Sequence, residues 1–381
     1  MINKDFYKLA EEDAESRGFE VDEVLACMER ALIMAFKKEH GNTSCRVEFR
    51  KDKNEILLYS IHRVVEAYTD HSKEAEEIPT EAPEQEESKE ENPEPQYAEM
   101  LLEDAKQIKS SYKIGDLVLQ PENLKTYSRM TILAAGNMYK QGVRTLEREK
   151  AYLYFKDFEN EMINAEVSNV GDRFITLKLG FNVTTILPLS ELLPNDHFGI
   201  GDFIKVYVKK VEQTTKEPKV VVSRTERNLV TRLLENYIPE IKKGIIEIKG
   251  IARDPGDRTK IAIYSTDEKV DAIGSCVGEG GSRIREIVNA LGGEKVDLYK
   301  WSEDPEELIA NSLQPASVTK VLSFDPKTKT SQVVVPDDHL SLAIGKSGQN
   351  VRLAVQSCGW KIDILPTSEA YEKGLIQILG L

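Results

Sequence analysis

The sequence predicts a multidomain α+β protein: an N-terminal α+β domain with a helical connector, a five-stranded β-barrel, and two tandem units of order α-β-β-α-α-β. Three observations predict it. A Gly-x-x-Gly turn with matching flanks occurs twice, at Gly278 and Gly345, 67 residues apart, and a repeat of that period is one folded unit duplicated. Residues 161 to 225 alternate apolar and polar side chains in short stretches set between Gly and Pro, the pattern of a small closed barrel. Ahead of these, residues 1 to 157 mix helical spacing with period-two stretches, which is an α+β signature.

Residues 2 to 40 read as two helices. The second carries Val21, Val24, Leu25, Met28, Leu32, Ala35 and Phe36 at helical spacing and stops at Gly41. Strands follow over Cys45 to Arg50 and Glu55 to Ile61, separated by the turn-forming Lys51 to Asn54. From about Asp70 to Pro95 the composition turns to Glu, Pro, Ser, Gln and Lys. Such a stretch buries too little apolar surface to offset its ordering entropy, so disorder is expected there. After a short strand at Asp116 to Leu119, a helix is expected over Ser128 to Asp157, weakened by Gly136 and Gly142 and mixed in charge over Arg144 to Lys150. It reads as a stiff connector.

The barrel strands are expected at Met162 to Val170, Arg173 to Leu179, Val183 to Leu187, Asp202 to Val211 and Lys219 to Ser223. The first repeat unit then runs as a helix from Glu226 through Tyr237, strands Ile245 to Ala252 and Lys260 to Tyr264, the glycine turn between two helices, and a last strand ending at Trp301. The second follows the same order, from a helix at Pro305 to Leu313 to a strand at Lys361 to Leu365. The resulting domains are 1–157, with the acidic stretch near 70–95 inside it, 161–225, 226–302, 303–366 and a tail at 367–381.

A net charge of −14 looks unsuited to binding a polyanion until it is divided. Glu74 to Glu94 alone holds ten Glu and one Lys, and residues 161 to 381 carry only −3. The second half must therefore gather its basic residues on one face if it binds nucleic acid. The acidic stretch is a solvated tether or a mimic of nucleic-acid charge. Cys27, Cys45, Cys276 and Cys358 are scattered with no His at ligand spacing, so neither a disulfide frame nor a metal site is indicated. No cofactor is implied. Walker, nucleophile-elbow and HExxH motifs are missing, and the five histidines show no pairing, so catalysis is not expected. Neither a signal peptide nor a spanning helix appears, and a cytoplasmic location is expected.

Glycines at both ends of a four-residue turn expose backbone amides at the positive end of the following helix, which makes an anion cradle. One such turn is an ordinary helix-helix corner. Two with matched flanks resemble the KH module, which clamps about four nucleotides of single-stranded RNA. The expected contacts are Gly345, Lys346, Ser347, Gly348, Gln349, Asn350 and Arg352 in the second copy and Gly278, Gly281, Ser282, Arg283 and Arg285 in the first. Lys346 and Ser347 suit a phosphate, whereas Glu279 opposes one, so the second loop is expected to hold the backbone more strongly. Gly201 to Val208 with Leu189 to Leu192 resemble the OB-fold barrel named after ribosomal protein S-one. In such barrels aromatics stack bases and nearby cations hold phosphates, which points to Phe174, Phe181 and Arg173, with His197 and Phe198 as further candidates.

The whole order of domains is similar to the NusA family of bacterial transcription factors. The likeness is closest at Ser223-Arg224-Thr225, Glu247 to Gly256, Gly274 to Gly278 and Ala343 to Ala354. It implies a non-catalytic elongation factor, monomeric, that binds core RNA polymerase through its N-terminal unit and nascent single-stranded RNA on the barrel and KH units. It also implies roles in pausing, intrinsic termination and antitermination, with other elongation and antitermination factors as partners. Two departures stand out: the acidic insertion, and Glu279 where the family often has a basic residue. The acidic C-terminal repeats of some members are absent, so autoinhibition by a tail is not expected. The alternative is a general RNA-binding protein of the ribosome or RNA-decay machinery.

Overall fold

The computed structural model describes residues 6–68 and 96–376. The acidic stretch at 70–95, the first five residues and the last five lie outside the described residues. The chain divides into two compact units, 1–149 and 150–381.

In the N-terminal unit, α1 (Phe6–Arg17) and α2 (Val21–His40) precede β1 (Cys45–Arg50) and β2 (Glu55–Val65). Glu20 and Glu23 form a capping box at the start of α2, and Gly41 ends it at φ 74°. β2 runs four residues past the expected Ile61 because two further strands cover it, one that the sequence does not signal and one expected at Asp116 to Leu119. These are β3 (Ala98–Leu101), parallel to it, and β4 (Leu117–Pro121), antiparallel. β3 is four residues long and buries only Met100, too little for periodicity to reveal; α3 (Leu102–Ile108) follows it with Ala105 alone buried. α4 (Arg129–Asp157) passes unbroken through both glycines. Gly142 faces α2, where a Cβ would stand 3.0 Å from the Cys27 sulfur, so the glycine admits a close crossing rather than weakening the helix.

The last turns of α4 supply Ala151 and Phe155 to the core of the next module. Its strands are β5 (Met162–Val170), β6 (Phe174–Gly180), β7 (Val183–Pro188), β8 (Phe203–Glu212) and β9 (Lys219–Ser223), in the order β7-β6-β5-β8-β9. Thr185 Oγ1 donates to the Val220 carbonyl across the remaining gap between β7 and β9. The inward residues Val167, Leu177, Leu187, Val206, Val208 and Val222 are almost wholly buried, as period-two alternation requires.

The first repeat unit contains α5 (Arg227–Tyr237), α6 (Pro239–Lys242), β10 (Ile246–Asp254), β11 (Arg258–Ser265), α7 (Ala272–Val277), α8 (Ser282–Ala290) and β12 (Lys295–Lys300). The second contains α9 (Pro305–Ser312), β13 (Lys320–Asp325), β14 (Thr330–Val335), α10 (Leu340–Ile344), α11 (Gln349–Cys358) and β15 (Lys361–Pro366), and α12 (Thr367–Glu372) follows. Each sheet pairs its first two strands antiparallel and its last two parallel, and each breaks register once in the first pair, at Ile248/Gly250 and Val321/Ser323. The duplication read from the loops thus extends to a shared irregularity. α12 packs onto the second unit through buried Ala370, while Thr367 Oγ1 donates to the Val335 carbonyl at 3.0 Å.

Barrel and repeats are joined by buried polar contacts. Arg224 makes a two-pronged bond to Asp196 at 2.5 and 2.7 Å and also donates to the carbonyls of Lys205 and Ala290, so one guanidinium ties the barrel to α8. Within the first unit, Arg253 pairs with Glu294 at 2.8 Å, both side chains being fully buried. Between the repeats, Lys260 on β11 donates to the carbonyls of Ser312 and Gln314 at 2.8 and 2.6 Å, which caps the end of α9. Burial lowers the Lys260 pKa to about 8. Beside it, β10 lies against α11 so closely that a Cβ on Gly250 would meet the Ser357 carbonyl oxygen at 2.0 Å. Tyr299 and Ala262 of the first unit share a core with Leu308, Ile309, Leu313 and Ala354 of the second.

Candidate nucleic-acid interface

Both glycine loops have the same backbone. Gly278 and Gly345 each have φ 74°, Gly280 and Ser347 occupy the left-handed region at 57° and 51°, and Gly281 and Gly348 follow at 78° and 75°. The amides of the outer glycines are already spent, those of Gly278 and Gly345 on the Gly274 and Ser341 carbonyls of the preceding helices at 2.9 Å each and those of Gly281 and Gly348 inside the turn. Gly281 N–H donates to Gly278 O at 3.0 Å and Gly348 N–H to Gly345 O at 3.1 Å. A ligand therefore meets the central pairs, Glu279-Gly280 and Lys346-Ser347, all four of which are exposed, at the start of α8 or α11. The nine- and ten-residue helices behind them offer their positive ends.

The remaining expected contacts divide by what holds them. Ser282 is exposed at the first turn of α8. Arg285 curls back to donate to the Gly280 carbonyl at 2.7 Å and stays exposed at the loop. Arg283 instead spans to Glu240 and to the Ser275 carbonyl, at 2.8 and 2.7 Å, and its stem lies where a Cβ on Gly278 would fall. In the second loop Asn350 is 2% exposed and its amide donates to the carbonyls of Leu313 and Ala343 at 3.0 and 3.1 Å. Its own carbonyl oxygen has no partner among the described residues. Asn350 and Arg283 thus set the shape of their loops. Gln349 donates to Asp254 and Asp257 at 3.0 and 2.7 Å, and Arg352 meets Asp254 at 2.5 Å, so the turn between β10 and β11 orients both side chains.

Beside the first loop a cleft of about 690 Å³ opens between α7, α8 and β12 on one wall and residues 310–318 on the other. Ile273, Val277, Ile284, Val296 and Leu298 form the apolar wall, and Ala310, Asn311 and Pro315 of the second unit form the opposite one. No sequence signal assigns Ala310 to Val318 to this cleft, since the residues belong to the neighbouring repeat and reach it only through the shared core. On the barrel, Arg173 and Phe174 sit at the start of β6 and Phe181 beyond its far end, so the strand separates them. Phe174 and Phe181 are 39% and 59% exposed. His197 and Phe198 lie in the loop before β8, where the Phe198 ring receives the Arg224 guanidinium at 5.2 Å. Phe203, 76% exposed at the start of β8, carries no sequence signal of its own, because an aromatic opening a strand reads equally well as core.

Thiol chemistry is not favoured here: burial pushes the Cys276 thiol up to about 12 and the Cys45 thiol to about 11. Among the described residues no group of three or more His, Cys, Asp or Glu is placed to hold a metal ion, and no helix is long and apolar enough to cross a membrane.

A five-stranded barrel joined to two units with matching glycine loops, one of them beside an apolar-walled cleft, defines a class, the multi-module binders of single-stranded nucleic acid. Family profiles agree along the chain. The NusA N-terminal domain matches residues 5–149, the S1 RNA binding domain 156–223, the NusA-like first KH domain 224–301 and the NusA-like second KH domain 305–372. The chain belongs to the NusA family. It is 38% identical over 377 residues to the transcription termination/antitermination protein NusA of Halalkalibacterium halodurans, covering 99% of this chain and 92% of that one. The proteins of the same name from Bacillus subtilis and Thermus thermophilus are 37% and 36% identical, over 94% and 95% of this chain and 90% and 89% of theirs.

Proposed function

We propose that this chain is a non-catalytic transcription elongation factor that holds nascent single-stranded RNA on its barrel and KH units while its N-terminal unit binds RNA polymerase. In this reading it modulates pausing, intrinsic termination and antitermination, acts in the cytoplasm as a monomer, and works with other elongation and antitermination factors. The observation that carries it is the pair of matching glycine loops set on one joined body with the barrel. Lys346, Ser347, Ser282, Arg285, Arg173 and Phe174 are the proposed RNA contacts, with Gly348 closing the second loop and Asn350, Gln349, Arg352 and Arg283 positioning the loops. The mechanism is tethering. A surface with net charge near zero binds RNA weakly in free solution, but becomes effective once polymerase holds it beside the transcript, because the second contact is then intramolecular.

Gly348→Asp tests the reading cleanly. A Cβ there meets nothing within 4 Å, and aspartate tolerates a left-handed backbone better than most residues, so the chain folds while a carboxylate enters the anion cradle. RNA affinity is expected to fall about tenfold or more, read by fluorescence anisotropy. Gly345 offers no such test, since a Cβ would stand 2.8 Å from Asn350. Pause lifetime on a hairpin template should lengthen with the full chain and not with residues 161–381 alone. RNA binding by the C-terminal fragment without any effect of the full chain on the pause would leave only a general RNA-binding protein.

A further inference from the structure

The hairpin joining β6 to β7 turns on two residues, since Gly180 pairs with Val183 and only Phe181 and Asn182 lie between. Both have φ in the left-handed region, 48° and 56°, as a two-residue I′ turn needs, and its usual occupants are Asn-Gly or Asp-Gly. A phenylalanine at the first position is strained. Burial does not offset the strain, because the ring is 59% exposed. It leans on Tyr154, near the end of α4, with ring centroids 4.5 Å apart. Nearby, Phe203 is 76% exposed. Phe203 pairs with Glu166, which pairs in turn with Lys178, so these side chains share the barrel's outer face. Phe181 and Phe203 line one cavity of about 460 Å³, whose polar rim includes Asn164, Lys178, Asn182 and Thr184.

Two phenyl rings kept at the surface, one of them in a strained turn, around a cavity with amide, hydroxyl and ammonium groups and the Glu166 carboxylate match the chemistry of a nucleobase. The rings offer π faces to any base and the rim offers partners to its edge. We propose that this cavity takes one base of a single-stranded RNA, as a subsite apart from the Arg173-Phe174 end of the barrel. Seven residue steps along β6 and into its turn separate Phe174 from Phe181, which is about 23 Å at ~3.3 Å per residue, so the two ends hold different nucleotides. Lys178 stands 3.7 Å from Glu166 in a half-exposed pair, loose enough for a phosphate to replace the carboxylate. The inference rests on the RNA-binding reading above, and its test keeps the two apart.

The full chain, Phe203→Ala, Phe181→Asn and Gly348→Asp are titrated against a 5′-labelled single-stranded RNA and melted in parallel. Loss of either ring is expected to weaken binding about 5- to 150-fold, the range for one base stacked on an aromatic. Asn suits the left-handed turn, so Phe181→Asn should melt at or above the parent temperature; a lower melting temperature would mean that the ring serves only the fold and would overturn the subsite. Unchanged affinity in both ring variants with loss in Gly348→Asp would overturn the subsite and leave the RNA reading intact. If the ring variants keep RNA affinity but lose the effect on pausing, the rings face a protein and the proposal fails. An unsubstituted chain that binds no RNA would remove the parent reading as well.

Discussion

Ser347 is a side chain where its twin loop has a glycine. Its φ of 51° places an L residue in a conformation that costs about 1–2 kcal/mol, part of which glycine returns through chain entropy in the unfolded state. Ser347→Gly is therefore expected to stabilise the second KH unit by about 0.5–1 kcal/mol, seen as a higher urea midpoint with an unchanged slope. In the N-terminal unit, burial lowers the His62 pKa, with Glu122 opposing the shift, and its Nε2 lies 2.9 Å from the Ser60 hydroxyl. The unfolded chain then takes up the proton first as pH falls. Stability of that unit is fully present above the ordinary histidine value and declines as pH drops through it. Melting the chain between pH 8 and 5 should show this decline, and His62→Gln should flatten it.

At the scale of elements, the joints between modules depend on buried charges whose partners lie far away in sequence. Arg224 and Asp196 are 2% and 1% exposed. Removing one leaves the other buried and unpaired, which costs about 3–5 kcal/mol. Arg224→Met should lower the denaturation midpoint of the C-terminal unit accordingly, and Arg224→Met with Asp196→Leu should recover much of the loss. A midpoint that moves by less than 1 kcal/mol in the single variant would mean the joint is carried by the apolar core around Leu193, Tyr207 and Leu233. The strands and helices themselves were largely legible. Met162 to Val170 and Lys219 to Ser223 end where alternation ends, and α4 starts and stops within one residue of its pattern. β3 and α3 were not legible, because each buries a single residue, and neither a period of two nor one of 3.6 can appear in one contact.

For the whole molecule, the charge division read from composition has a measurable consequence. The half bearing the RNA surface carries −3, Arg224 and Lys260 are buried in the joints and the Arg253 side chain is buried inside the first repeat, so that half offers phosphates no excess of cations. The logarithm of RNA affinity should fall with the logarithm of salt at about 0.7 per neutralised phosphate, giving a shallow slope of a few phosphates. A slope near zero would mean that the loops and barrel face make no ionic contact with RNA.

The sequence by itself determined the modules, their order and the duplicated loop, because glycine turns, alternation and helical spacing are local and leave their mark within a few residues. It also determined the family, through motifs such as Ala343 to Ala354 that are contiguous in the chain. What only the tertiary structure decided is which side chains of those motifs are free. Asn350 and Arg283 carry the same signature as Lys346 and Arg285, yet the first two are drawn into the protein by Leu313, Ala343 and Glu240, partners that lie 7 to 43 residues away. The cleft wall from the neighbouring repeat and the Phe181-Phe203 cavity arise in the same way. Each depends on segments that meet only after the chain has folded, and spacing along the sequence carries no record of that meeting.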